Sequence, residues 1–280
     1  MNAPAIPSFN TVAVAALRRE WLSHRLNRFL YAHLTLVVAA GFLPLLTPGD
    51  EFSRGAAWWL LHALLYAISL SSLLLGLSSA HAENEEFVWL LGQPAGTGPW
   101  LAGKTLALVI LTGLSGLLLG APSAFIGGLT PELTLATVGD DGYAYADKLR
   151  AAGVAVVCAL AGLALGFWIR DSVRGLIAAI SLWFVLLFGM DLLLIGLAGS
   201  EWVQNSPDLW IALLMLNPFD VYRITVLFSV ENAAFSGISA GQLVAWWIAH
   251  APAWLAVSLT SWAGFAWLLG WLGARRRIDG

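Results

Sequence analysis

Residues 151–168 read AAGVAVVCALAGLALGFW and residues 176–198 read LIAAISLWFVLLFGMDLLLIGLA, with IRDSVRG at 169–175 between them. Each run has the length of a helix that crosses the ~30 Å hydrocarbon layer of a bilayer at 1.5 Å rise per residue. The connection is short and holds Arg170, Asp171 and Arg174, charges that belong in water or at headgroups. Two apolar rods joined by a charged turn make a membrane-spanning helical pair. Outward from this pair the same pattern recurs at 29–46, 56–80 and 101–119 on one side and at 250–273 on the other. The reading is therefore an all-α, polytopic membrane protein of six spans.

Composition agrees. The chain has 280 residues, 59% hydrophobic and 11% charged, where an ordinary soluble domain carries about 25% charged residues. Soluble enzymes, fibrous chains, disordered chains and disulfide frameworks are excluded. A net charge of −3 gives no electrostatic footprint for nucleic acid. The single cysteine, Cys158, sits inside an apolar run and can form neither an intrachain disulfide nor a Cys-rich metal site. The first apolar run begins near Phe29, behind Arg18, Arg19, Arg25 and Arg28, and reads as an uncleaved first span.

Six spans put both termini on one side, and the basic residues choose it. Ten of the fourteen Lys and Arg residues fall on the side of the termini and four (Arg54, Lys148, Arg150, Arg223) on the other. The positive-inside rule then places both termini in the cytoplasm. Residues 1–28 form a cytoplasmic segment with an imperfect amphipathic helix, Val14, Leu17 and Trp21 on one face and Leu22, Leu26 and Phe29 on a second. It reads either as a helix on the membrane surface that turns inward or as one long helix entering the bilayer directly. Residues 29–273 form the six-span domain and 274–280 a basic cytoplasmic tail. Within 202–249, Pro207-Asp208 and Asn217-Pro218 break the apolar pattern, so short helices at or dipping into the outer surface are expected. Pro252, after Trp246 and Trp247, predicts a break before the last span.

The cytoplasmic 2–3 connection holds an acidic cluster, Glu83, Glu85 and Glu86, then a short apolar helix from Phe87 through Leu90 and Leu91. Gly92, Gln93 and Pro94 stop it, and Gly103-Lys104 open the next span. Such an element reads as a rigid dock for a soluble partner or as an ordinary interfacial turn. The pattern Glu83, Leu90-Leu91-x-Gln93-Pro94, Gly103-Lys104 resembles the signature of the ABC-2 type permeases, the six-span membrane subunits of one class of ABC exporter. Residues 181–192 and 214–223 resemble the Nos-type branch, from the ABC complex that matures the copper centre of nitrous oxide reductase. Two positions depart from the family pattern: Glu85-Glu86 stand where Gly-Thr is usual, and no basic residue lies between Pro94 and Gly103.

The resemblance implies a homodimer in the inner membrane, with ATP and Mg in a separate dimeric ABC ATPase and no cofactor in this chain. It implies that Glu83, Glu85, Glu86, Phe87, Leu90, Leu91, Gln93, Pro94, Gly103 and Lys104 couple to that ATPase. With the acidic outer residues Asp140, Asp141 and Asp147, it also implies an extracytoplasmic accessory protein contacting Asn217, Pro218, Asp220, Tyr222 and Arg223. A generic exporter of a small molecule or lipid, or an ATP-independent secondary transporter, are the alternatives; no internal repeat favours the latter. Membrane lipid surrounds the chain in every case.

Remaining features read by their chemistry. Asn217, Pro218 and Asp220 suit a helix start. Asp191, a carboxylate inside a span, lines a polar path or makes a structural bond to a neighbouring helix or to the 217–223 segment. His33 and His62 read as histidines that pack or make a hydrogen bond, and Met190 and Met215 are too isolated to form a copper site. Gly98 to Thr105 matches the letters of a phosphate loop, and Gly237 to Gly241 those of a nucleophile elbow, each without the strand those motifs require.

Overall fold

A computed structural model describes residues 8–25, 27–42, 59–82, 97–119, 141–197, 200–201, 205, 216–230 and 242–279. Among these residues every regular element is helical. Helix α1 (Phe9–His24) opens at Ser8, whose Oγ accepts the Thr11 N–H at 3.4 Å. That helix ends at His24, and Asn27 Oδ1 accepts the Phe29 N–H at 2.9 Å and so starts α2 (Arg28–Phe42). The N-terminal segment is thus two helices, which decides against one long rod.

Then come α3 (Trp59–His81), α4 (Thr97–Leu118), α5 (Asp141–Trp168) and α6 (172–197). Pro218–Val230 is α7 and Gln242–Asp279 is α8. Among the described residues, five stretches are long and apolar enough to cross a membrane: α3, α4, Leu149–Trp168 of α5, Ser172–Gly189 of α6 and Pro252–Arg277 of α8. Helix α2 is apolar but has 15 residues, about 22 Å of rise; residues 43–46 of the expected first span lie outside the described residues.

Two expectations change. Helix α8 runs unbroken through Pro252: one proline removes a single N–H and bends rather than ends a helix whose other turns stay bonded. Helix α5 begins at Asp141, ahead of the expected start at 151, so Asp141, Asp147 and Lys148 are helical. Gly98 to Thr105 lie within α4 and form no phosphate loop; Gly237 to Gly241 lie outside the described residues.

Helix α5 is central, packed against α3, α4 and α8. Small residues set that closeness. A methyl group on Gly162 would overlap the Leu73 carbonyl, one on Gly76 the Ala159 carbonyl, and one on Gly116 the backbone of Ala152. Burying apolar surface drives little inside lipid, so association rests on dispersion contacts and interhelical hydrogen bonds. Leu64, Ile68, Leu73, Leu108, Leu163 and Phe167 supply the first kind, all nearly fully buried. His33 supplies the second: its Nδ1 lies 2.8 Å from Ser71 Oγ on α3 and its Nε2 2.7 Å from Ser115 Oγ on α4. It ties three helices together.

Helices α3 and α6 each contain a widened π turn, Ala63–Ile68 and Val185–Gly189. The two turns face each other. Trp183 Nε1 of α6 donates to Ser69 Oγ at 2.9 Å and to the Leu65 carbonyl at 3.3 Å, and the Tyr66 and Phe188 rings stand 6.2 Å apart.

Gly162→Val should lower the melting temperature of the detergent-purified chain by several degrees, since overpacking costs about 1–3 kcal/mol. Gly264→Val, which meets nothing within 4 Å, should leave it unchanged; equal losses in both would mean that the α3–α5 contact is not tight.

Candidate coupling site

Helix α1 lies across the first turns of α4, with Ala16 packed beside Trp100 and Leu101 and a polar contact next to it. The buried residues of α1 are Ala16, Glu20 and His24, one helical stripe, while Val14, Trp21 and Leu22 are exposed. The apolar stripe therefore faces away from the bundle. Gly103 makes the approach feasible: a Cβ there would meet the Ala13 carbonyl and Ala16.

Beside it, Lys104 is 1% exposed and Glu20 5%. Lys104 Nζ donates to Glu20 Oε1 at 2.5 Å; Ser79 Oγ of α3 donates to Oε2 at 3.4 Å, and His24 Nε2 stands 3.3 Å from that oxygen. The ammonium also sits 5.9 Å from the centre of the Trp100 ring. Asn27, at the α1–α2 bend, donates to Ser78 Oγ at 3.1 Å. A buried ion pair gains little over apolar packing, but removing either partner strands a charge. The pair thus fixes register between α1, α3 and α4.

The same end of the bundle collects further ties. Arg277 of α8 donates from Nε to the Phe167 carbonyl at 2.7 Å and from Nη2 to the Gly166 carbonyl, satisfying the last carbonyls of α5. His81 Nε2 lies 2.8 Å from the Ile169 carbonyl. Of the residues expected to couple, Gly103 and Lys104 are brought together here with α1. Glu83, Glu85, Glu86, Phe87, Leu90, Leu91, Gln93 and Pro94 lie outside the described residues; the flanking positions, Ala82 and Thr97, end α3 and begin α4.

At the opposite end, α7 and the Asn217 that precedes it are fastened to α6 within and just beyond the π turn. Asn217 Nδ2 donates to the Leu186 carbonyl at 2.6 Å and to Asp220 Oδ2 at 2.7 Å, while its Oδ1 accepts the Phe219 N–H at 3.1 Å. Arg223 Nη1 donates to Asp191 Oδ2 at 2.8 Å and Oδ1 at 3.1 Å and lies 3.4 Å from Asp220 Oδ1. Burial pushes the Asp220 carboxyl up to about 6, with Arg223 opposing and Asp191 adding to the rise. Asn217, Pro218, Asp220 and Tyr222 are buried within the chain. Among the described residues no three His, Cys, Asp or Glu side chains gather as a metal site.

Glu20 was not singled out by the sequence pattern, although one signal was available. It is the sole acidic residue in the first 49 positions, and it lies on the face of α1 away from Val14 and Trp21.

An all-helical chain with five helices of membrane-crossing length among the described residues is the frame of this site, and relatives give the family. The chain is 30% identical over 220 residues, 76% of each protein, to the probable ABC transporter permease protein NosY of Pseudomonas aeruginosa. It is 32% identical over 111 residues to the probable ABC transporter permease protein NosY of Stutzerimonas stutzeri, covering 39% of this chain and 38% of that one. No protein-family model matches. The chain belongs to the ABC transporter permeases, and within them it is NosY-like. It is a multi-pass membrane subunit whose family implies an ABC ATPase as partner.

Glu20→Gln or Lys104→Met alone should each destabilise the detergent-purified chain by about 3–5 kcal/mol, the usual result of stranding a buried charge. The double variant should recover most of that loss. Additive losses, measured by thermal melting, would show that the two side chains do not act as a pair.

Proposed function

We propose that this chain is one of two identical membrane subunits through which a separate ABC ATPase drives maturation of the copper centre of nitrous oxide reductase. The 220-residue likeness to the Pseudomonas aeruginosa NosY protein carries this reading, with the Nos-type motifs at 181–192 and 214–223 in support. Residues 83–94 dock the ATPase, and ATP with Mg binds there rather than in this chain. The ten-to-four distribution of basic residues supports an inner-membrane chain with both termini and that dock in the cytoplasm.

The mechanism is rigid-body transmission. ATP closes the ATPase dimer and displaces the 83–94 segment. That segment leads directly out of α3 and into α4, so both helices receive the push. The Glu20–Lys104 pair keeps α1 in register with α4, and His33 carries α2 along. The Trp183 bonds hand the displacement from α3 to α6, whose outer part holds α7. An accessory protein on the outer side meets the end of the bundle that carries α7.

Replacing residues 87–91 by serine should abolish co-purification of the ATPase from detergent while membrane insertion persists; undiminished ATPase recovery would remove the docking role. Deleting the chain in a nitrous-oxide-respiring host should yield reductase lacking its copper centre, and reductase with full copper content would point instead to a generic export role.

A further inference from the structure

The bend between α1 and α2, the last turns of α3 and the first turns of α6 enclose a groove of about 680 Å³, within the ~300–1,000 Å³ of small-molecule sites. Its walls are apolar: Phe29, Leu77, Val173 and Leu176. Polar side chains share the lining, among them Ser23, Arg28, Ser78 and Ser172. Val173 is 66% exposed and Phe29 45%, so the floor runs into the outward faces of α2 and α6.

Among the described residues, the charges around it are unbalanced. Among the described residues, the side chains of Arg25, Arg28 and Arg174 have no hydrogen-bond or ion-pair partner. The nearby carboxylates among the described residues are engaged: Asp171 accepts the Arg174 N–H at 2.7 Å and so caps α6, and Glu20 is held by Lys104. His81 gives its Nε2 to the Ile169 carbonyl.

We propose that this groove binds one acidic phospholipid of the surrounding membrane, the phosphate against Arg28 and an acyl chain along Leu77, Val173 and Leu176. An apolar slot that opens to lipid beneath an unneutralised guanidinium matches a molecule with an anionic head on a hydrocarbon tail. A second copy of the chain would bring the same excess of arginine to the seam and leave the cations unmatched. The site is independent of the cargo and of the side of the membrane on which it lies. It places a bilayer molecule where α1 bends away from α2, so lipid composition sets how firmly α1 is seated.

Native mass spectrometry of the full-length chain tests this, with equal amounts of phosphatidylglycerol and phosphatidylcholine of identical acyl chains. The wild type should retain one phosphatidylglycerol per chain with about fivefold or greater preference. Arg28→Gln should bring the two lipids to near-equal retention, and Arg28→Lys should keep the preference. Val173→Trp should displace both lipids, whereas Arg276→Gln, stacked over Trp168 outside the groove, should change nothing. Equal retention by the wild type, or an unaltered preference in Arg28→Gln, overturns the proposal. So does a Val173→Trp chain that keeps its lipid and changes its oligomeric state, which would make the groove a seam between copies.

Discussion

An ammonium group buried beneath a helix cannot stand alone in an apolar bundle, and much of the inner architecture answers to that fact. Lys104 must have a carboxylate, and the carboxylate it has belongs to a different element, Glu20 of α1. Once that pairing is made, α1 must turn its polar stripe inward and leave Val14, Trp21 and Leu22 facing out. In water that would be an inverted helix. Beside a membrane the outward apolar stripe has lipid to meet, so both faces are satisfied.

The remaining helices hold by a different rule. Where lipid competes equally well for apolar side chains, closeness and hydrogen bonds decide the packing. Gly76 and Gly162 let α3 and α5 touch backbone to backbone. His33, Trp183, Asn217 and Arg223 each bond outside their own helix, to Ser71 and Ser115, Ser69, Leu186 and Asp191 respectively. Polar side chains are therefore fasteners of the bundle.

Most of the fold was legible in the sequence because span length is imposed by membrane thickness, an outside ruler that does not depend on tertiary contacts. The helix start at Asn217 was legible for the same kind of reason, since capping is local chemistry. What the pattern could not give were choices made between helices. Hydrophobic periodicity marked the apolar face of α1 but not that the opposite stripe, Ala16, Glu20 and His24, docks on the bundle. The continuity of α8 through Pro252 depends on its remaining bonds, and a proline marks only a tendency. The role of Glu20 required knowing that Lys104, 84 positions later, would lie beneath it. Gly103 and Lys104 were visible as a motif, but not that a glycine beside a lysine makes a slot and a hook for the N-terminal helix.

The π turn Val185–Gly189 fixes the azimuth of everything beyond it. Each residue added to or removed from a helix swings the following side chains by about 100°. Asp191 follows that turn at once, so trimming one residue from it would leave the rod equally greasy and nearly as long. The carboxylate, however, would point a quarter-turn or more away from Arg223. Hydropathy would register no difference between the two chains, yet only one could keep α7 moored.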